Sequence, residues 1–197
     1  MCRFIESIRI ENGSIVAQSW HEERMNETRR SILHLHAPLR LTGILPVTIP
    51  KGIAKCRITY SDIIHSVEII PYKPKIVNTL QLIEDNEIDY AYKYADRSRL
   101  DNLLSRKTAD EIIIVRQGLI TDTSYSNLIF YDGKRWHTPS SFLLNGTRRQ
   151  RMLLAGLIVE SEIRPSDLRH FTRVKLINAM LDPETSPSIL LKDSELI

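Results

Sequence analysis

Hydrophobic and polar residues alternate from Arg3 to Ile10, which predicts a strand with two unlike faces. Phe4, Glu6, Ile8 and Ile10 share one face, and Arg3, Ile5, Ser7 and Arg9 share the other. Asn12-Gly13 predicts a hairpin turn, with Ser14 to Ala17 as the return strand. Ser19 followed by Glu22 fits a capping box and predicts a helix start, with Trp20, Met25 and Thr28 turned inward. Arg24 lies between Glu23 and Glu27, where a surface ion pair of little worth is one reading. Pro and Gly punctuate the chain from Pro38 to Pro50, so a loop-rich connection is expected there. Alternation returns in Ala54 to Ser61 and in Ser66 to Tyr72, two strands joined through Asp62 to His65.

A change of regime follows. Pro71, Pro74 and the charged stretch Glu84 to Glu87 place a boundary near Glu84 to Asp89, giving a small α+β domain over 1–88 and a larger α/β domain over 89–197. A helix is expected from Arg97 to Lys107 with Leu100, Leu103 and Leu104 as its apolar face. The unbroken run Ile112 to Val115 reads as a buried strand, and Asp132-Gly133 as another hairpin turn. Leu144 to Gln150 reads as a glycine loop opening a helix. Leu157 to Ile163 is expected as a strand, Ser166 to Arg169 as a short capped helix, and Val174 to Leu181 and Ser188 to Leu191 as the last strands.

Composition narrows the function classes. With 197 residues and 42% hydrophobic content the chain can bury a core, and a net charge of +3 without a dense basic block suits a small anionic substrate better than nucleic acid. No apolar run is long enough for a membrane span, and the start lacks the pattern of a signal peptide. Cys2 and Cys56 are too few for a disulfide framework or a zinc site, so free thiols in a reducing cytoplasm are expected. No metal site is expected.

Three local features carry candidate chemistry. Asp122 sits among Thr121, Thr123, Ser124 and Ser126 between expected strands, either capping its own turn or held for a partner, because a buried carboxylate needs one. Lys93 lies among Tyr90, Tyr92 and Tyr94, where it either snorkels to solvent or loses charge and becomes a nucleophile. Gly146 and Thr147 open a helix, where backbone N–H groups suit phosphate. Arg3 and Arg9 are either solvated or aimed at an anion.

Taken in order, His21 and Arg24, Lys93 in Lys-Tyr-Ala-Asp-Arg, Asp122 to Leu128, Thr138-Pro139, Asn145 to Gln150 and Asn178-Ala179 resemble the fold-type IV, or class IV, family of pyridoxal-phosphate enzymes. That family includes branched-chain and D-amino-acid aminotransferases and 4-amino-4-deoxychorismate lyases. The resemblance implies a two-domain α+β fold like that of the D-amino acid aminotransferases, with a shortened N-terminal domain. It implies pyridoxal 5'-phosphate as cofactor, held covalently by Lys93, which also shuttles the proton. Asp122 matches the family's glutamate at the pyridine nitrogen and is one methylene shorter. Arg24, Gly146, Thr147 and Arg148 match phosphate-binding positions, with the threonine one place earlier than usual. Asn178 and Ala179 match a second loop near the phosphate, and Ser126 and Asn127 the segment beside the ring. Arg3, Ser7 and Arg9 fall on the strand face that lines the substrate pocket, where a carboxylate-bearing amine would pair with the arginines. A homodimer is implied. The expected reaction is conversion of 4-amino-4-deoxychorismate to 4-aminobenzoate and pyruvate. An aminotransferase acting on a branched-chain or D-amino acid is the alternative, and a non-catalytic member the third reading.

Overall fold

In the computed structural model, residues 2–45, 50–184 and 186–191 are described. The chain is mixed α and β, and it divides into two compact units. The first is Met1–Pro74 with Tyr92–Asp96; the second is Lys75–Ala91 with Arg97–Ile197. Residues 75–88 thus go with the second unit, because the strand Leu80–Glu84 pairs in parallel with Glu111–Arg116. Lys93 goes with the first.

The first unit is built on a four-stranded antiparallel sheet. Its strands are β1 (Phe4–Glu11), β2 (Ser14–Ile15), β3 (Ile53–Tyr60) and β4 (Ile64–Pro71), in the order β2-β1-β3-β4. Asn12 and Gly13 both have positive φ, as the Asn-Gly hairpin requires. Helix α1 (Gln18–Leu33) packs on β1, and Phe4, Ile8, Ile10, Met25, Ala54, Cys56, Ile58 and Tyr60 form the core. The capping box expected from Ser19 and Glu22 does not form. The helix begins instead from Ala17 in the left-handed region, and Glu22 accepts hydrogen bonds from Gln18 (2.9 Å) and from the Leu41 backbone N–H (2.8 Å). Of the residues expected to face inward, Met25 and Thr28 are buried and Trp20 is half-buried.

The second unit holds two sheets. One joins β5 (Leu80–Glu84), β6 (Glu111–Arg116) and β7 (Leu119–Ile120). The other joins β8 (Asn127–Tyr131), β9 (Trp136–Pro139), β10 (Val159–Ser161), β11 (Arg173–Ile177) and β12 (Ile189–Leu190) in the order β10-β9-β8-β11-β12. Strand β8 has no polar face because both faces are covered. Leu128 and Phe130 join a core with Ile113, Val115 and Val174, while Ile129 packs with Met152, Ile158 and Ile177. Helix α2 (Ser98–Ser105) buries Leu100 and Leu103, and helix α3 (Thr147–Leu154) buries Met152. The short capped helix is a 3-10 turn, Pro165–His170, closed by the Arg164 backbone N–H on Asp167 (2.8 Å). Strand β11 stops at Ile177, so Asn178 and Ala179 lie in the loop beyond it. No helix among the described residues is long and apolar enough to cross a membrane.

Candidate active site

In the first unit Lys93 lies on an extended segment alongside the start of β1. Its carbonyl accepts the Ile5 backbone N–H (2.9 Å), Ala95 N–H donates to Arg3 (2.8 Å), and Tyr94 bridges Phe4 in antiparallel register. Tyr92 and Tyr94 pack into the core, with Tyr94 5.3 Å from the Phe4 ring. Alternation therefore places Lys93 on the opposite face, the one shared by Ile5, Ser7 and Arg9. The register adds a residue that strand-by-strand reading misses: Arg57 of β3 lies directly across from Ser7 on that face. Arg9 is anchored, its guanidinium forking onto Glu11 at 3.1 Å. Arg3 is exposed and Ser7 half-buried.

Arg24 does not make the surface pair with Glu23 or Glu27; Arg30 takes both of those. Arg24 reaches instead to Glu6, which is fully buried on the core face of β1. Its Nε donates to Oε1 (2.8 Å) and its Nη2 to Oε2 (2.6 Å), while His21 Nδ1 lies 2.8 Å from Oε2. An ionised carboxylate only accepts, so His21 carries its proton on Nδ1. Burial pushes the Glu6 carboxyl up. The Arg24 charge and the hydrogen bonds from His21 and Arg24 outweigh it and hold its pKa at about 2.

In the second unit Asp122 follows β7 and is buried. Its turn is capped by Thr123, whose hydroxyl accepts from Ser126 N–H (2.9 Å), so Asp122 is available to a more distant partner. Its Oδ2 accepts the backbone N–H groups of Leu143 (3.1 Å) and Leu144 (2.9 Å), and its Oδ1 accepts from the Asn127 amide (2.8 Å). Burial raises its pKa to about 6 against those donors. Asn127 also donates to the Leu144 carbonyl (2.8 Å), and its amide oxygen packs against Gly146. Asn127 is thus a residue that sets the loop.

Gly146 is the N-cap of α3, and Thr147 and Arg148 form the first turn. The amides of a first helical turn have no intrahelical partner and favour an anion. The loop leading to them is pinned from below by Arg149, another residue the sequence reading passes over. Its guanidinium donates to Asn145 Oδ1 and the Pro139 carbonyl (both 3.1 Å), pairs with Glu160, and lies over the Phe142 ring. The β8–β11 register, which sets Asn127 opposite Ile177, brings Ser126 beside Asn178. Asn178 donates to the Ser126 hydroxyl (2.8 Å) and accepts from Met180 and Leu181 N–H, so Ala179 sits inside a fixed turn. Arg97 donates to the Ser124 carbonyl (2.8 Å) and steadies the same segment.

Comparison with known proteins gives the family. The model of Amino-transferase class IV matches residues 91–182. A Haemophilus somnus 129PT protein of known structure, described as a proposed 4-amino-4-deoxychorismate lyase, is 35% identical; the match covers 91% of this chain and 97% of that one, with a TM-score of 0.83. This chain belongs to the class IV aminotransferase family. An uncharacterized protein of Haemophilus influenzae is also 35% identical over 189 residues, covering 91% of this class IV chain and 98% of the relative. An aminotransferase from Brucella abortus, whose structure holds pyridoxal phosphate, shares the fold at 20% identity and a TM-score of 0.70, covering 95% of this chain and 79% of that one.

Proposed function

We propose that this class IV chain is a pyridoxal-phosphate enzyme, and that it is a lyase converting 4-amino-4-deoxychorismate to 4-aminobenzoate and pyruvate. The residues fit the cofactor. Gly146 and Thr147 open α3, where the amides of the first turn suit a phosphate, and Lys93 stands on the sheet face shared by Ile5, Ser7 and Arg9 rather than in the core. The similarity to the Haemophilus somnus protein, at 35% identity over nearly the whole of both chains, carries the choice of lyase.

When bound, the cofactor supplies an electron sink for the carbon that bears the substrate amine. The reading assigns Arg24, Gly146, Thr147 and Arg148 to the phosphate. Asn178 and Ala179 hold the adjoining loop, and Ser126, Asn127 and Asp122 the segment beside the ring. Lys93 would hold the cofactor and, once displaced by the substrate amine, its free amine would accept the ring proton from the carbon carrying that amine. The bond to the enolpyruvyl oxygen breaks, the ring becomes aromatic, and the departing enolpyruvate takes up a proton to leave as pyruvate. Arg3, Ser7 and Arg9 orient the substrate carboxylates. A homodimer acting in the cytoplasm completes the proposal; sedimentation of the purified chain tests the assembly.

The test is an absorption spectrum with added pyridoxal phosphate, followed by 4-amino-4-deoxychorismate with no keto acid present. A cofactor band that Lys93→Ala abolishes, with pyruvate and 4-aminobenzoate released, is expected. A band with amino transfer to a keto acid and no pyruvate release would make the protein an aminotransferase. Absence of any Lys93-dependent band would leave a family member without the chemistry.

A further inference from the structure

We infer that Glu6 and His21 are positioning residues whose task is to hold the Arg24 guanidinium ready for the phosphate group of the cofactor. This rests on the proposed cofactor reading and goes beyond it, since neither residue touches the cofactor in that reading.

The arrangement is a costly one. Glu6 stands on the core face of β1, flanked along that face by Phe4 and Ile8 and across the sheet from Ile58, and it is fully buried. Removing a carboxylate from water is expensive, and a buried ion pair is often no more stabilising than apolar residues of the same volume. Stability alone therefore gives poor reason for a charge here. The partners show what the charge does. Arg24 meets it through a two-pronged fork, Nε on Oε1 at 2.8 Å and Nη2 on Oε2 at 2.6 Å, which fixes the plane of the guanidinium. His21, one helical turn before Arg24 on α1, steadies Oε2 from the same side at 2.8 Å. Glu6 and His21 are almost wholly inside, whereas the Arg24 side chain keeps 13% of its surface exposed. Arg24 is thus the member of the trio that reaches outward. An unrestrained arginine loses substantial rotamer freedom when it clasps an anion. Here that ordering is complete before any ligand arrives.

The experiment compares pyridoxal phosphate with pyridoxal, which lacks the phosphate, as ligands of the full-length protein. Each is titrated by the absorption change on binding at Lys93. In the wild type pyridoxal phosphate binds far more tightly. Glu6→Gln removes the charge and one arm of the fork, and should lower the preference for pyridoxal phosphate about ten-fold or more while leaving pyridoxal affinity unchanged. Glu6→Asp keeps the buried charge but draws the carboxylate back by one methylene, and should lose the preference in the same direction. It serves if Glu6→Gln does not fold. Equal weakening of both ligands, or an unchanged preference in a folded variant, would overturn the inference. Failure of the wild type to bind either ligand at Lys93 would instead overturn the cofactor reading.

Discussion

The side-chain oxygen of Asn127 occupies the space that a Cβ on Gly146 would need, 2.0 Å from where that atom would sit. Asn127 cannot step aside without loss, because its amide nitrogen is tied to both Asp122 and the Leu144 carbonyl at 2.8 Å. Those two acceptors also fix the orientation of the amide. Gly146→Ala should therefore break at least one buried hydrogen bond and destabilise the second unit by about 2 kcal/mol. The same substitution in an Asn127→Ala background should cost much less, since the obstructing oxygen is gone. A double-mutant cycle by denaturant unfolding measures that coupling, and strict additivity would sink it.

Asp122 predicts a pH dependence of unusual sign for a carboxylate. Its folded pKa is raised by burial to about 6 from 3.8. Between those values the native state keeps a proton that the unfolded chain has released, so stability falls as pH rises through this window. The ionised form at neutral pH carries a cost on the order of 3 kcal/mol. Asp122→Asn removes the titration. The stability difference between wild type and variant should shift against the wild type between pH 4 and pH 7. A difference that stays constant would show that the carboxylate is not desolvated.

Glu6 titrates in the opposite sense. Burial pushes it up, but the charge of Arg24 and the hydrogen bonds from His21 and Arg24 prevail and bring its folded pKa to about 2 from 4.5. Its contribution is present above pH 4.5 and is lost as pH falls toward 2. Acid unfolding of the first unit should thus begin below pH 4.5, and Glu6→Gln should flatten that limb while lowering stability at neutral pH. With Trp136 of the second unit replaced by Phe, emission from Trp20 on α1 is a local reporter for the measurement.

The strands were legible in the sequence wherever one face is wet, because alternation there is a direct record of burial. β3 and the Asn12-Gly13 turn follow the pattern, whereas β1 alternates in residue type but buries Ile5 and Arg9 on its second face as well. The site was legible as a set of motifs and much less as a set of contacts. Glu6 and Arg24 are 18 residues apart, and Ser126 and Asn178 are 52 apart; only strand register and helix docking bring them together. The arginine beside Glu23 and Glu27 read as a surface pair because sequence shows near neighbours, whereas the stronger partner lies across the core. The Ser19–Glu22 box failed for the same reason, since Glu22 is claimed by the Leu41 backbone 19 residues later. Arg149 left no signal beyond its doublet with Arg148, yet it anchors the loop before α3 through four groups.

The two cysteines provide a clock for the first unit. Cys2 is exposed, while Cys56 is buried on the core face of β3, opposite Ile8 on β1, with its thiol pushed by burial up to about 11. The thiolate is the reactive species, so Cys56 is protected twice, by exclusion of reagent and by its protonation. At pH 8 a thiol reagent should modify one equivalent rapidly in the native protein and the second only as the sheet opens. The rate of the slow phase then reports opening of the core around β3. Glu6→Gln, which leaves the part-buried Arg24 guanidinium without its counter-charge beside that core, should speed the slow phase and leave the Cys2 phase alone. Equal acceleration of both phases would point to a reagent effect, and fast reaction of both thiols in the wild type would show that Cys56 is not enclosed.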